Sequence, residues 1–163
     1  MKIPSVLMTV LALAAVATAS GAHRGNPPPG DEKGVRGAVA HFYTALDALF
    51  RGDAAPMSAV WSHADDVTYM GPGGGLESGW KAVEQTWKAQ AALKLGGKVE
   101  PTDVRVTMGG EMAITSNYEK GENTNAKGET QQVSIRATNV FRKEKGAWKM
   151  VGHHTDILPY LTP

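Results

Sequence analysis

Between positions 35 and 50, apolar side chains return every three or four residues, at Val35, Val39, Phe42, Leu46, Leu49 and Phe50. That spacing lays one apolar stripe along a helix, and Arg51-Gly52 ends it. Asp53 is placed to N-cap a short second helix over 54–61, before the turn-forming SHADD. VTYM at 67–70 reads as a strand, and GPGGG at 71–75 as a loop, since glycine and proline at that density defeat both regular structures. Residues 79–93 return to helical spacing, with Trp80, Val83, Trp87 and Ala91 on one side and Gly96-Gly97 as the stop.

Beyond Gly97 the period changes from 3.6 to two. VEPTDVRVTM, EMAITSNYEK, TQQVSIRATNVFRK and AWKMVGHHTDI are β-rich runs separated by GG, GENTNAKG and EKG, the pattern of consecutive antiparallel hairpins. Three helices followed by a meander predict an α+β fold whose sheet buries one face against the helices. In the last run, strict alternation sends His153 and His154 to opposite faces, so at most one of them enters a pocket that the sheet encloses.

The first 33 residues carry neither period. Lys2, the apolar run from Val6 to Val16 and the small residues Ala17 and Ala19 form a secretory leader over 1–19, too short to span a bilayer. Residues 20–33 are rich in Pro, Gly and charge and read as a linker, which leaves 34–160 as one domain. The expected location is therefore periplasmic or extracellular, with no membrane span once the leader is removed. Lys and Arg number 17 against 16 Asp and Glu and are scattered along the chain, which argues against a nucleic-acid partner. There is no cysteine, so neither disulfides nor thiolate chemistry enter.

The order of elements, the FYTALDALFRGDAAPMSAVWSHADDVTYMGPGGG block, the GWKAVEQTW helix and the ending RATNVFRKEKGAWKMVGHHTD resemble the NTF2-like superfamily, within it the SnoaL-like (DUF4440-like) branch. The closing pattern falls on Arg136, Thr138, Val140, Gly146, Trp148, Met150, His154 and Asp156. The resemblance implies a cone, three N-terminal helices packed in a curved antiparallel sheet, enclosing an apolar pocket with a few polar groups. It also implies a homodimer formed through the open face of the sheet, here the outward residues of 111–120 and 131–142.

On that resemblance the six-residue step from Trp148 selects His154 as the pocket histidine, on one face with Met150, Gly152 and Asp156, and leaves His153 outside with Val151 and Lys149. Arg136 lies mid-strand, and either faces solvent or holds a carboxylate in the pocket. Tyr43, Trp61 and Tyr69 are candidate aromatic walls, Trp87 is core, and Asp65 and Asp66 belong to a turn. The histidines and acids lack the spacing of a metal site, GPGGG lacks the features of a phosphate loop, and no Gly-x-Ser-x-Gly elbow occurs, so no cofactor or metal is expected. Two functions remain. One is a domain that binds a small, partly apolar molecule, which the sequence favours because no acid stands out at the centre of an inward strand face. The other is a cofactor-free acid–base enzyme of isomerase, dehydratase or cyclase type.

Overall fold

The computed structural model describes residues 29–125 and 127–156; the leader, most of the linker and the end of the chain lie outside them. Helix α1 spans Pro29–Phe50, so it starts within the stretch read as linker; α2 spans Ala55–Val60 and α3 Trp80–Ala92. The strands are β1 Thr68–Met70, β2 Glu77–Ser78, β3 Lys98–Gly109, β4 Met112–Thr124, β5 Thr130–Glu144 and β6 Ala147–Asp156. They form one sheet in the order β2-β1-β6-β5-β4-β3.

The meander is present as β3 to β6, all antiparallel. The sheet as a whole is mixed, because β1 adds to the free edge of β6 in parallel, with Thr68 opposite Gly152 and Met70 opposite His154. The two strands are far apart in sequence, and a parallel pair needs such a long connection. The α1 stripe packs into the concave face: Val35, Val39, Phe42, Leu46, Leu49 and Phe50 are all buried, together with Val83, Trp87 and Ala91 of α3. Gly121 is where β4 lies tightly against β3. With φ +151, a Cβ there would sit 2.0 Å from the Lys98 carbonyl oxygen, so β3 and β4 approach more closely than any side chain permits.

Strand β6 breaks the alternation read from sequence. Val140 pairs with Gly152 and the next residue, Phe141, pairs with Met150, which leaves Val151 as an extra residue, a β-bulge. Met150 and Val151 are both buried, and after the bulge the inward positions are His153 and Thr155. His154 is exposed, opposite Thr138 on the outer face. The expectation that His154 enters the pocket is thereby corrected: one inserted residue reverses the face of everything that follows it.

Candidate active site

Strand β4 carries an inverted pattern. Its inward residues are Ala113, Thr115, Asn117 and Glu119, all buried, whereas Met112, Ile114 and Tyr118 face outward. Five polar side chains from β4, β5 and β6, Thr115, Asn117, Glu119, Asn139 and His153, thus meet Tyr43 of α1 inside the cone, and each must find a partner there.

They do so in one directed chain. The Asn117 Nδ2 group donates to the backbone oxygen of Tyr118 at 3.0 Å, and a carbonyl can only accept, so the orientation of this amide is fixed. The same nitrogen donates to the Tyr43 hydroxyl at 2.8 Å, which in turn donates to Glu119 Oε1 at 2.9 Å. Asn117 Oδ1 must then accept, and it does, from Asn139 Nδ2 at 3.2 Å; that nitrogen also donates to Thr115 Oγ1 at 3.1 Å. This turns Asn139 Oδ1 toward His153 Nδ1, 2.6 Å away, so Nδ1 carries the hydrogen. The neutral imidazole therefore has a bare Nε2, and that nitrogen lies 3.8 Å from Glu119 Oε1.

Although 3.8 Å is within ion-pair range, the two groups do not form one at neutral pH. Burial, assisted by the neighbouring His154, lowers the His153 pKa to about 3, which keeps the ring uncharged. Burial also raises the Glu119 carboxyl to about 7, against the smaller opposing effect of the Tyr43 hydrogen bond. The Tyr43 hydroxyl is raised by burial and then by the Glu119 charge, and remains protonated. The pair is a neutral imidazole of fixed tautomer beside a carboxyl that exchanges its proton near neutrality.

Both residues border a cavity of about 490 Å³. Its inner wall includes Tyr69, Trp87 and Gln90, and its outer part carries the amides of Asn123, Asn125, Gln131 and Gln132. The Tyr69 ring stacks on the His153 ring, centroids 5.8 Å apart and 7° from parallel. The Tyr69 oxygen accepts from Gln90 Nε2 at 2.8 Å, which leaves its own hydrogen for another acceptor. Burial, opposed by the Gln90 hydrogen bond, holds the Tyr69 pKa up. Gly71 leaves room for this hydroxyl: a Cβ there would stand 2.3 Å from the Tyr69 oxygen.

The residues picked out from sequence distribute as follows. Tyr69 lines the cavity; Tyr43 stands behind Glu119 and bonds it. Trp61 is fully buried outside the cavity lining, its ring 6.0 Å from that of Trp87, and is core. Arg136 and Asp156 face outward and pair with each other, Nε to Oδ1 at 2.9 Å, with side chains 55% and 35% exposed. Asp156 is the residue directly opposite Arg136; Arg136 is outward by the alternation of β5, whose Ala137, Asn139 and Phe141 are buried, and the bulge in β6 carries Asp156 to the same face. Asp66 pairs with Arg142, in keeping with a turn role. Missed from sequence were Glu119, His153, Asn117, Asn139 and Gln90. The signal for two of these, Asn117 and Glu119, was present in EMAITSNYEK, where the larger apolar residues share one parity and Thr115, Asn117 and Glu119 share the other.

Residues 35–159 match the SnoaL-like domain family. Among solved structures, one named as a "putative dehydratase from the NTF2-like family" from Streptomyces avermitilis is 28% identical, with 81% of this chain and 99% of that chain covered at a TM-score of 0.71. Another, named as a "putative calcium/calmodulin-dependent protein kinase type II association domain" from Thiobacillus denitrificans, is 27% identical, covering 82% and 97% at 0.65. A third, named as a "putative ketosteroid isomerase" from Shewanella frigidimarina, shares the fold at 21% identity, covering 75% and 94% at 0.61. No curated protein matches the chain.

Proposed function

The chain belongs to the SnoaL-like family of NTF2-like domains, and from that premise we propose that it is a cofactor-free acid–base enzyme of isomerase or dehydratase type. The observation that carries this is Glu119, a carboxyl buried at the inner wall of the cavity with its proton held near neutral pH and a neutral imidazole 3.8 Å away. A pocket that only binds would need one polar anchor; a pocket with a carboxyl poised to gain and lose a proton has the equipment of general acid–base catalysis.

In this reading the substrate places a carbon acid, a C–H beside a carbonyl, against Glu119. The carboxylate takes the proton, and the carbonyl oxygen, as it gains charge, accepts the free hydrogen of Tyr69, whose orientation Gln90 fixes. Tyr43 holds Oε1, leaving Oε2 for the proton. The resemblance to a structure named as a dehydratase supports the same class. The reading also takes the chain as exported, supported by the leader pattern of 1–19, and as a homodimer, supported by the outward Met112, Ile114 and Tyr118 on the open face of the sheet.

The test is exchange of the α-hydrogens of 4-(naphthalen-2-yl)butan-2-one in D₂O, followed by proton NMR. Wild type is expected to accelerate exchange, with a rate that rises with pH through about 7 as Glu119 ionises. Glu119→Gln should lower it by roughly 100-fold or more. Exchange unaffected by that substitution would overturn the proposal.

A further inference from the structure

We infer that the substrate is uncharged and carries a hydroxyl group, bonded to His153 Nε2, on the carbon next to the one that loses its proton: a β-hydroxy ketone with an apolar body, which the enzyme dehydrates. The carbonyl partner rests on the acid–base reading above. The hydroxyl rests only on the hydrogen-bond chain from Tyr118 through Asn117 and Asn139.

That chain leaves Nε2 as a pure acceptor, at the cavity wall, with no donor bonded to it among the described residues. A ligand that leaves it unpaired gives up the hydrogen bond that water would make to this nitrogen. A hydroxyl satisfies it. A hydroxyl oxygen about 2.8 Å from Nε2 donates to the nitrogen and stands beside the Glu119 carboxyl, whose Oε1 lies 3.8 Å from that nitrogen and whose Oε2 carries the proton. The hydroxyl is then held beside the group that returns the proton.

Charge narrows the class further. The described cavity lining contains no Lys or Arg, and its one carboxyl, Glu119, works as a base when negative. A carboxylate, phosphate or acyl thioester with an anionic carrier would meet that charge with no cation to offset it. The amides at the outer end, Asn123, Asn125, Gln131 and Gln132, suit a neutral polar end that both donates and accepts.

The chemistry balances without an oxidant or reductant. Glu119 takes the α-hydrogen, and the C–H electron pair becomes the enolate delocalised onto the oxygen facing Tyr69. The enolate re-forms the carbonyl, the new C=C bond closes, and the C–O bond breaks. The hydroxyl leaves with the proton that Glu119 carries, as water. Because one carboxyl serves both steps, hydrogen and hydroxyl depart from the same face, a syn elimination.

The test uses the wild-type protein and three naphthyl probes: 4-hydroxy-4-(naphthalen-2-yl)butan-2-one, the ketone lacking the hydroxyl, and 3-hydroxy-3-(naphthalen-2-yl)propanoate. The expected result is that the hydroxy ketone binds at least tenfold more tightly than the deoxy ketone, that the carboxylate does not compete, and that the conjugated enone forms, seen by its near-ultraviolet absorbance. His153→Gln should bring the two ketones to equal affinity. Nitrogen-15 NMR of the ligand-free wild type checks the tautomer separately and should show Nδ1 protonated and Nε2 bare. A protonated Nε2, equal binding of the two ketones, or binding of the carboxylate would overturn this inference. α-Hydrogen exchange without hydroxyl preference refutes it and leaves the acid–base proposal standing. Hydroxyl preference without exchange refutes the proposal and leaves the ligand assignment standing.

Discussion

Replacing Glu119 by Gln removes a carboxyl that burial disfavours in its charged form, and the effect on stability has a sign and a pH dependence that the structure fixes. The folded-state pKa is raised, from 4.5 to about 7, so the folded state prefers the protonated carboxyl. The stability this permits is fully present below the unfolded value and is lost as pH rises through the folded one. A rise of about 2.5 in pKa corresponds to about 3 kcal/mol, at 1.36 kcal/mol per unit. Glutamine keeps an oxygen for the Tyr43 hydroxyl and carries no charge to desolvate. Glu119→Gln should therefore stabilise the protein by about 3 kcal/mol at pH 8 and by only about 1 kcal/mol at pH 5. His153 acts with the opposite sign. Its lowered pKa, from 6.5 to about 3, makes the fold lose stability as pH falls below the unfolded value. In the wild type the two slopes cancel between about pH 4.5 and 6.5, where unfolding releases one proton from Glu119 and takes one up on His153. The substitution unmasks the histidine slope of about 1.4 kcal/mol per pH unit below pH 6.5. Urea denaturation of both proteins at half-unit pH intervals measures this. A gain that is the same at pH 5 and pH 8, or a loss at pH 8, would refute the reasoning.

Three further outcomes are expected. His153→Ala leaves a cavity and an unpaired Asn139 oxygen and should cost about 2 to 4 kcal/mol by urea denaturation, whereas His154→Ala, on the exposed face, should stay within about 0.5 kcal/mol. Gly71→Ala drives a methyl against the Tyr69 hydroxyl and should lower kcat for the hydroxy ketone on the order of 100-fold while the far-ultraviolet circular dichroism is unchanged. Tyr118→Glu replaces an exposed aromatic side chain on the outward sheet face by a charge and should give a monomer by light scattering, whereas the wild type is expected to give a dimer.

What the sequence disclosed, and what it hid, follow from how local each feature is. The α1 stripe and the switch to period two were legible because helix and strand periodicities are properties of neighbouring residues. The bulge at Val151 was not: it is a mismatch between two strands, and VGHHTD alone looks like uninterrupted alternation. Everything inferred beyond it, His154 and Asp156 inward and His153 outward, was therefore reversed. Glu119 was hidden for a different reason. An acid in a β-run normally marks the solvated face, whereas here the sheet turns Ile114 and Tyr118 outward and encloses the polar set. Tyr69 was recoverable because it lies two residues before the glycine-rich loop, whose Pro72 borders the cavity.

The central claim is that a carboxyl with its proton held near neutrality sits at the inner wall of this cone. Carbon-13 NMR titration of the side-chain carboxyls in protein labelled at glutamate Cδ, with Glu119→Gln used to assign the resonance, measures it directly. The expected result is one glutamate titrating at about pH 7, and the loss of that resonance in the variant. A Glu119 carboxyl that titrates in the ordinary range near 4.5 would contradict it.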